Sequence, residues 1–141
     1  MKAHFRFENL TVWQEARALN RKVYRLTRKF SEQEKFAMTS QIRRASVSVS
    51  SNIAEGCGRN SDKDFAHFLE QSYGSLMEVA SLLYLALDEA YVPGDDLGNV
   101  FADIEKLAKG IAALNRSLQV KSCKTPFRRT LALDSRPSTL D

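Results

Sequence analysis

Apolar positions recur along this chain with the period of a helix in four successive stretches. In the first, from about Leu10 to Lys29, Val12, Ala16, Leu19, Val23, Leu26 and Phe30 share one face when each residue advances by about 100°. Arg17, Arg21, Arg25 and Arg28 fall on the opposite face, a basic stripe about three turns long. Thr11 and Gln14 are spaced for a capping box at the start.

The second stretch poses a choice. In QIRRASVSVSSNIAEG, residues 41–56, the run SVSVS alternates polar and β-branched residues with the period of a strand. Its flanks hold neither Gly nor Pro until Gly56. Met38, Ile42, Ala45, Val49, Ile53 and Gly56 lie on one helical line, so the pattern predicts a helix over about 32–56. Ser31 with Glu34 predicts a capping box that opens it. Opposite that seam runs a second small and apolar line of Phe36, Ser40, Val47, Ser51 and Ala54, where a solvent face should be charged. A helix apolar on two faces is usually buried on two faces, which marks Phe36, Val47, Ser51 and Ala54 as a candidate interface with another subunit. Arg44, Ser48, Asn52 and Glu55 form a polar ribbon between the seams. Arg44 and Glu55 are too far apart to pair, and each is expected to bond a neighbouring helix or a terminus.

GCGRNS ends this helix, with Gly56 or Gly58 available for a left-handed cap and Ser61 with Asp64 opening the next. The third helix is expected over about 62–91. Phe65, Leu69, Ser72, Leu76, Ala80, Leu83, Leu87 and Ala90 form its seam, and Tyr73, Met77, Tyr84 and Tyr91 a second stripe read as packing rather than as a base-stacking platform. VPGDD breaks the chain. A fourth helix follows over about 96–119, with Leu97, Phe101, Ile104, Ala108, Ile111 and Leu118 inward. Residues 121–141 carry two prolines and no sustained period, and read as a mobile basic tail. Short connections make an all-α, up-down-up-down four-helix bundle over 1–120 the economical architecture.

Charge changes this picture, because it is unevenly placed. The chain has 141 residues and a formal net charge of +4. Residues 1–60 hold 12 Lys/Arg against 5 Asp/Glu, 61–120 hold 4 against 10, and 121–141 hold 5 against 2. A polyanionic partner, attraction between the two halves, and solvated faces of charged helices all fit that asymmetry. The two cysteines, Cys57 and Cys123, share no metal-like spacing and build no disulfide framework, and no signal peptide or apolar run of membrane-spanning length is visible. A reducing cytoplasm is the expected setting.

Together FENLTVWQEA, QIRRASVSVSSNIAEG, FLEQSYGSLMEV and the turn at Tyr91 resemble the four-helix bundle proteins encoded by intervening sequences in bacterial 23S ribosomal RNA genes. The similarity runs from about Phe5 to Gln119. It implies a left-handed four-helix protomer assembled into a ring-like homopentamer. Functional relatives of that family include the accessory variability determinant of diversity-generating retroelements, a basic pentamer that binds nucleic acid and a reverse transcriptase. Where the family often has Ile-Pro between the serines, this chain has Val49-Ser50, which removes a helix kink and keeps the seam.

Three functional classes follow. In the first, a homo-oligomer binds RNA, with Arg17, Arg21, Arg25, Arg28 and Arg43 on phosphates and no base-reading motif in sight. The second is a scaffold whose partner is another protein, a reverse transcriptase among the candidates. The third, an enzyme, is poorly supplied. A di-iron bundle needs paired Glu-x-x-His motifs, and the chain offers only Asp64-x-x-His67. His4 lies in the N-terminal extension, and no nucleophile elbow or phosphate loop is present. No cofactor is expected.

Overall fold

Each of the four periodic stretches folds as an α-helix: α1 Thr11–Thr27, α2 Met38–Cys57, α3 Asp62–Asp88 and α4 Gly98–Leu133. The computed structural model describes residues 2–133, with side chains through residue 119. Short 3-10 turns at Arg6–Asn9, Glu32–Glu34 and Gly94–Asp96 precede α1, α2 and α4, and no strand occurs among the described residues. The choice over SVSVS is thereby settled for helix. The helical backbone of α4 continues past the end expected at Gln119, so the first part of the segment expected as a mobile tail is helical, and residues 134–141 lie outside the described residues.

Consecutive helices pack antiparallel, and α1 closes the bundle against α4. Asn20 meets Ser46 across α1 and α2, Val49 meets Ser72 across α2 and α3, Tyr84 meets Phe101 across α3 and α4, and Lys22 meets Asp103 across α1 and α4. The predicted seams form the core: Leu19, Val23, Ile42, Val49, Ile53, Leu69, Leu76, Leu83, Leu97 and Ile111 are all buried. Each such side chain contributes about 1.5–3 kcal/mol by leaving water. On α3 the buried face is wider than the seam, since Val79, Leu82 and Ala86 are buried as well, while Ala90 is exposed.

Helix ends depart most from expectation. The Thr11–Gln14 box does not form. Leu10 takes the N-cap position, and Gln14 Nε2 donates instead to the Glu8 carbonyl at 2.7 Å, because the preceding 3-10 turn places that carbonyl over the first turn of α1. Ser31 opens only the 3-10 turn, without a side-chain cap. Glu34 Oε1 accepts from the Tyr91 hydroxyl at 2.8 Å and Oε2 from the Met38 N–H at 3.4 Å; α2 starts at Met38, and Phe36 precedes it rather than lying on it. Ser61 does cap α3, accepting from the Asp64 N–H at 3.1 Å.

Neither Gly56 nor Gly58 is left-handed; the one positive φ among the described residues is 58° at Ala90. There the Tyr91 N–H donates to the Ala86 carbonyl at 2.9 Å and the Ala90 N–H to Leu87 at 3.0 Å, a Schellman closure of α3. A Cβ is unfavourable in that conformation. Ala90→Gly should therefore stabilise the fold by about 1 kcal/mol in denaturant titration, and an unchanged or lower midpoint would contradict this reading of the turn.

Gly56 matters for closeness instead. A Cβ there would lie 2.7 Å from Phe68 Cβ and 2.8 Å from Phe65 Cδ2. Hydroxyls line the same helix pair and its neighbour. Ser46 Oγ donates to Asn20 Oδ1 at 3.0 Å toward α1, Ser48 and Ser75 share a hydrogen bond at 2.9 Å, and Ser72 Oγ donates to the Val49 carbonyl at 2.8 Å.

Candidate nucleic-acid interface

The core pattern of α1 dictates what its outer face carries. With Val12, Ala16, Leu19, Val23 and Leu26 buried, Arg17, Arg21, Arg25 and Arg28 project on the far side, and all four are exposed. The stripe is about 16 Å long at 1.5 Å per residue. None of the four has a carboxylate within ion-pair distance among the described residues. Arg17 rests over the Trp13 ring, 5.6 Å from its centroid, which limits the freedom of its side chain.

The lysines of the same helix and its end are placed otherwise. Lys22 pairs with Asp103 and Lys29 with Asp96, both on α4 or the turn before it, and Lys106 of α4 pairs back to Glu15 at 3.3 Å. Lys22 and Lys29 are seven residues apart, as are Asp96 and Asp103, so two antiparallel helices bring both pairs into register. That complementary spacing was present in the sequence. The surplus charge of α1 is thus divided, with lysines neutralised along one flank and arginines left to solvent.

Arg43, expected with the stripe, is held apart from it at the α1–α2 seam. Its guanidinium stacks on Tyr24 at 4.6 Å and its Nε–H donates to Thr27 Oγ1 at 2.8 Å, while the Thr27 hydroxyl donates to the Val23 carbonyl at 2.9 Å. It is partly buried and oriented, with its terminal N–H groups uncommitted to these contacts.

The polar ribbon on α2 divides as well. Ser48 bonds α3 through Ser75, Asn52 Nδ2 donates to the Ser48 carbonyl at 2.8 Å, and Glu55 pairs with Arg59 at 2.9 Å just past the helix end. Arg44 is exposed. Of the candidate interface line, Phe36 is 90% and Val47 41% exposed in the single protomer, Ser51 is exposed and Ala54 partly buried. The tyrosine stripe of α3 meets α4 at Tyr84. Tyr84 stacks on Phe101 with centroids 4.6 Å apart yet stays exposed, as do Tyr73 and Met77.

Tyr91 leaves that stripe and turns toward the connection between α1 and α2. Its ring lies 5.7 Å from Phe30, and the hydrogen bond to Glu34 raises its pKa above the ordinary 10.0, with burial and the Glu34 and Glu89 charges acting in the same direction. A raised acid pKa in the folded state gives stability that is complete below the unfolded value and lost as pH rises through the folded one. Unfolding free energy should therefore fall above about pH 10, and Tyr91→Phe should remove that part of the fall in denaturant titrations at alkaline pH; an identical pH profile for the variant would contradict it.

His67 is exposed beside Gln71, and among the described residues no three His, Cys, Asp or Glu side chains gather closely enough to hold a metal ion. No described helix is long and apolar enough to cross a membrane.

Comparison with known proteins gives two positive findings. The profile of the family described as 23S rRNA-intervening sequence protein matches residues 8–113. A crystal structure of a protein of unknown function from the S23 ribosomal protein family of Bacteroides thetaiotaomicron is similar in fold, with a TM-score of 0.69, 22% identity, and coverage of 74% of this chain and 98% of that one. None of the curated proteins matches.

Proposed function

The chain belongs to the 23S rRNA-intervening sequence protein family, and from that premise we propose that it is a non-enzymatic protein that binds RNA through the outer face of α1. One observation carries the reading: Arg17, Arg21, Arg25 and Arg28 stand exposed without carboxylate partners, while Lys22 and Lys29 beside them are neutralised by Asp103 and Asp96. Unpaired arginines at helical spacing suit phosphate oxygens, which their planar guanidinium groups meet in a bidentate way. Recognition of backbone and shape is the expected mode, with structured RNA bound without base readout.

The same reading includes assembly. A left-handed bundle closing into a ring-like homopentamer in the cytoplasm would repeat the stripe and convert modest contacts into strong avidity. Phe36, Val47, Ser51 and Ala54 are proposed to meet the neighbouring copy. Binding of structured RNA across a salt series tests the electrostatic part. The slope of log affinity against log salt should be about −3 for each protomer engaged through four phosphates, and a flat response would reject the mechanism.

A second reading is a scaffold for another protein, with a reverse transcriptase among the candidates. The exposure of Tyr73, Met77 and Tyr84 on α3 favours it, since neighbouring exposed apolar side chains suit a protein contact. Charge reversal on α1 separates the two, because it removes RNA capture under the first reading and leaves protein capture through α3 intact under the second.

A further inference from the structure

Among the described residues, clefts border α1 on both flanks, and they differ in how far their cations are already paired. Two lie on the α4 side, where carboxylates hold the lysines: in one Asp96 holds Lys29, beside Arg25 and a Lys22 already paired with Asp103, and in the other Asp103 and Glu15 hold Lys22 and Lys106. The third lies on the opposite flank, where the end of α1, the connection and the first turns of α2 meet. It has a volume of about 210 Å³, and its lining includes Thr27, Arg28, Glu32, Lys35, Thr39 and Arg43. Three cations against one carboxylate leave a net charge of +2. None of those cations has an ion-pair partner among the described residues.

The pocket is also partly prepared. Arg43 is held by the Tyr24 ring on one side and by Thr27 through its Nε–H, so its remaining donors are oriented before any ligand arrives. At ~30 Å³ per water molecule, the volume admits a phosphate group with part of its hydration.

We infer that this pocket binds a phosphate monoester, specifically the terminal phosphate of a nucleic-acid strand. A monoester carries about −1.5 to −2 at neutral pH and presents three free oxygens, which matches the net charge and the three cationic side chains. An internal diester carries only one charge, and its chain must both enter and leave. The pocket rests on the RNA reading only for the source of its phosphate.

The test uses the full chain. Inorganic phosphate is titrated at constant ionic strength while the Arg43 Nε–H resonance is followed, and affinities are compared for one RNA sequence ending in a 5′-phosphate, a 3′-phosphate or hydroxyls only, with AMP against adenosine alongside. A saturable Arg43 shift is expected, together with binding about tenfold tighter for one phosphorylated end than for the hydroxyl ends. Both should vanish in the double variant Arg28→Gln, Lys35→Gln, whose sites are exposed and whose fold is checked by circular dichroism. A matching advantage for AMP over adenosine would identify a free nucleotide as an equal source of the monoester.

No saturable shift at millimolar phosphate, or an end preference that survives in the double variant, overturns the proposal. Oligonucleotides bound equally without the Arg43 response would leave the α1 interface standing and remove the pocket. A phosphate response without binding of any oligonucleotide would do the reverse.

Discussion

Simultaneous replacement of Arg17, Arg21, Arg25 and Arg28 by glutamate is expected to weaken binding of structured RNA by at least about a thousandfold at low salt and to flatten what salt dependence remains. Four counterion-releasing contacts disappear, and four negative charges then face the phosphates. The fold should survive, because the stripe lies opposite the buried positions of α1 and takes no part in the ion pairs to α4. Arg25 and Arg28 sit near the helix C-terminus, where cations are favoured, so a stability loss of about 1 kcal/mol is expected and no more. The companion variant Lys22→Gln, Lys29→Gln removes two charges that are already neutralised and should change affinity by less than about threefold. Equal losses in the two variants would show that only bulk charge matters. Retention of affinity in the arginine variant would end the α1 reading.

Gly56→Val should destabilise the bundle by about 3 kcal/mol or more, seen as a thermal midpoint lowered by roughly 10 °C. The site lies where α2 passes Phe65 and Phe68 of α3, with no room even for a Cβ at 2.7 Å from Phe68 Cβ. A β-branched side chain would push the two helices apart near the start of α3 and leave voids beside Ile53 and Leu69. Gly74 supplies the control. It lies exposed within α3 with nothing within 4 Å of an added Cβ, so Gly74→Ala should raise stability by about 0.5–1 kcal/mol through helix propensity alone. A tolerated Gly56→Val with an unchanged midpoint would mean that the helices are free to separate there.

The four helices and most of their buried residues could be read from the sequence, because burial repeats with the helical period and the period is visible in one dimension. Ile42, Val49 and Ile53 are the plainest case: their line overrode the strand-like SVSVS. Features that depend on a partner distant in sequence were harder to see. Glu34 matches the spacing for a capping box with Ser31, yet its carboxylate is shared between the Tyr91 hydroxyl, 57 residues away, and the Met38 N–H at the start of α2. Gly56 resembles a cap locally, whereas its role comes from Phe65 and Phe68 on the next helix. The division of α1 between free arginines and neutralised lysines needed the antiparallel pairing with α4, although the matched seven-residue spacings of Lys22/Lys29 and Asp96/Asp103 carried the clue. Ala90 gave no signal, since alanine is a poor choice for the left-handed conformation it adopts.

The serines of α2 carry a last consequence. Two residues advance a helix by about 200°, so the alternation that imitates a strand sends Ser46 toward one neighbour and Ser48 toward the other. Leu, Ile and Val would tolerate α2 sliding by a turn, because grease matches grease at many offsets. A hydroxyl seated on Asn20 and another on Ser75 act as notches on opposite edges of one rod, and any slip empties both at once. Evening out these serines to alanine would leave a bundle of similar burial that no longer distinguishes one alignment of its rods from the next.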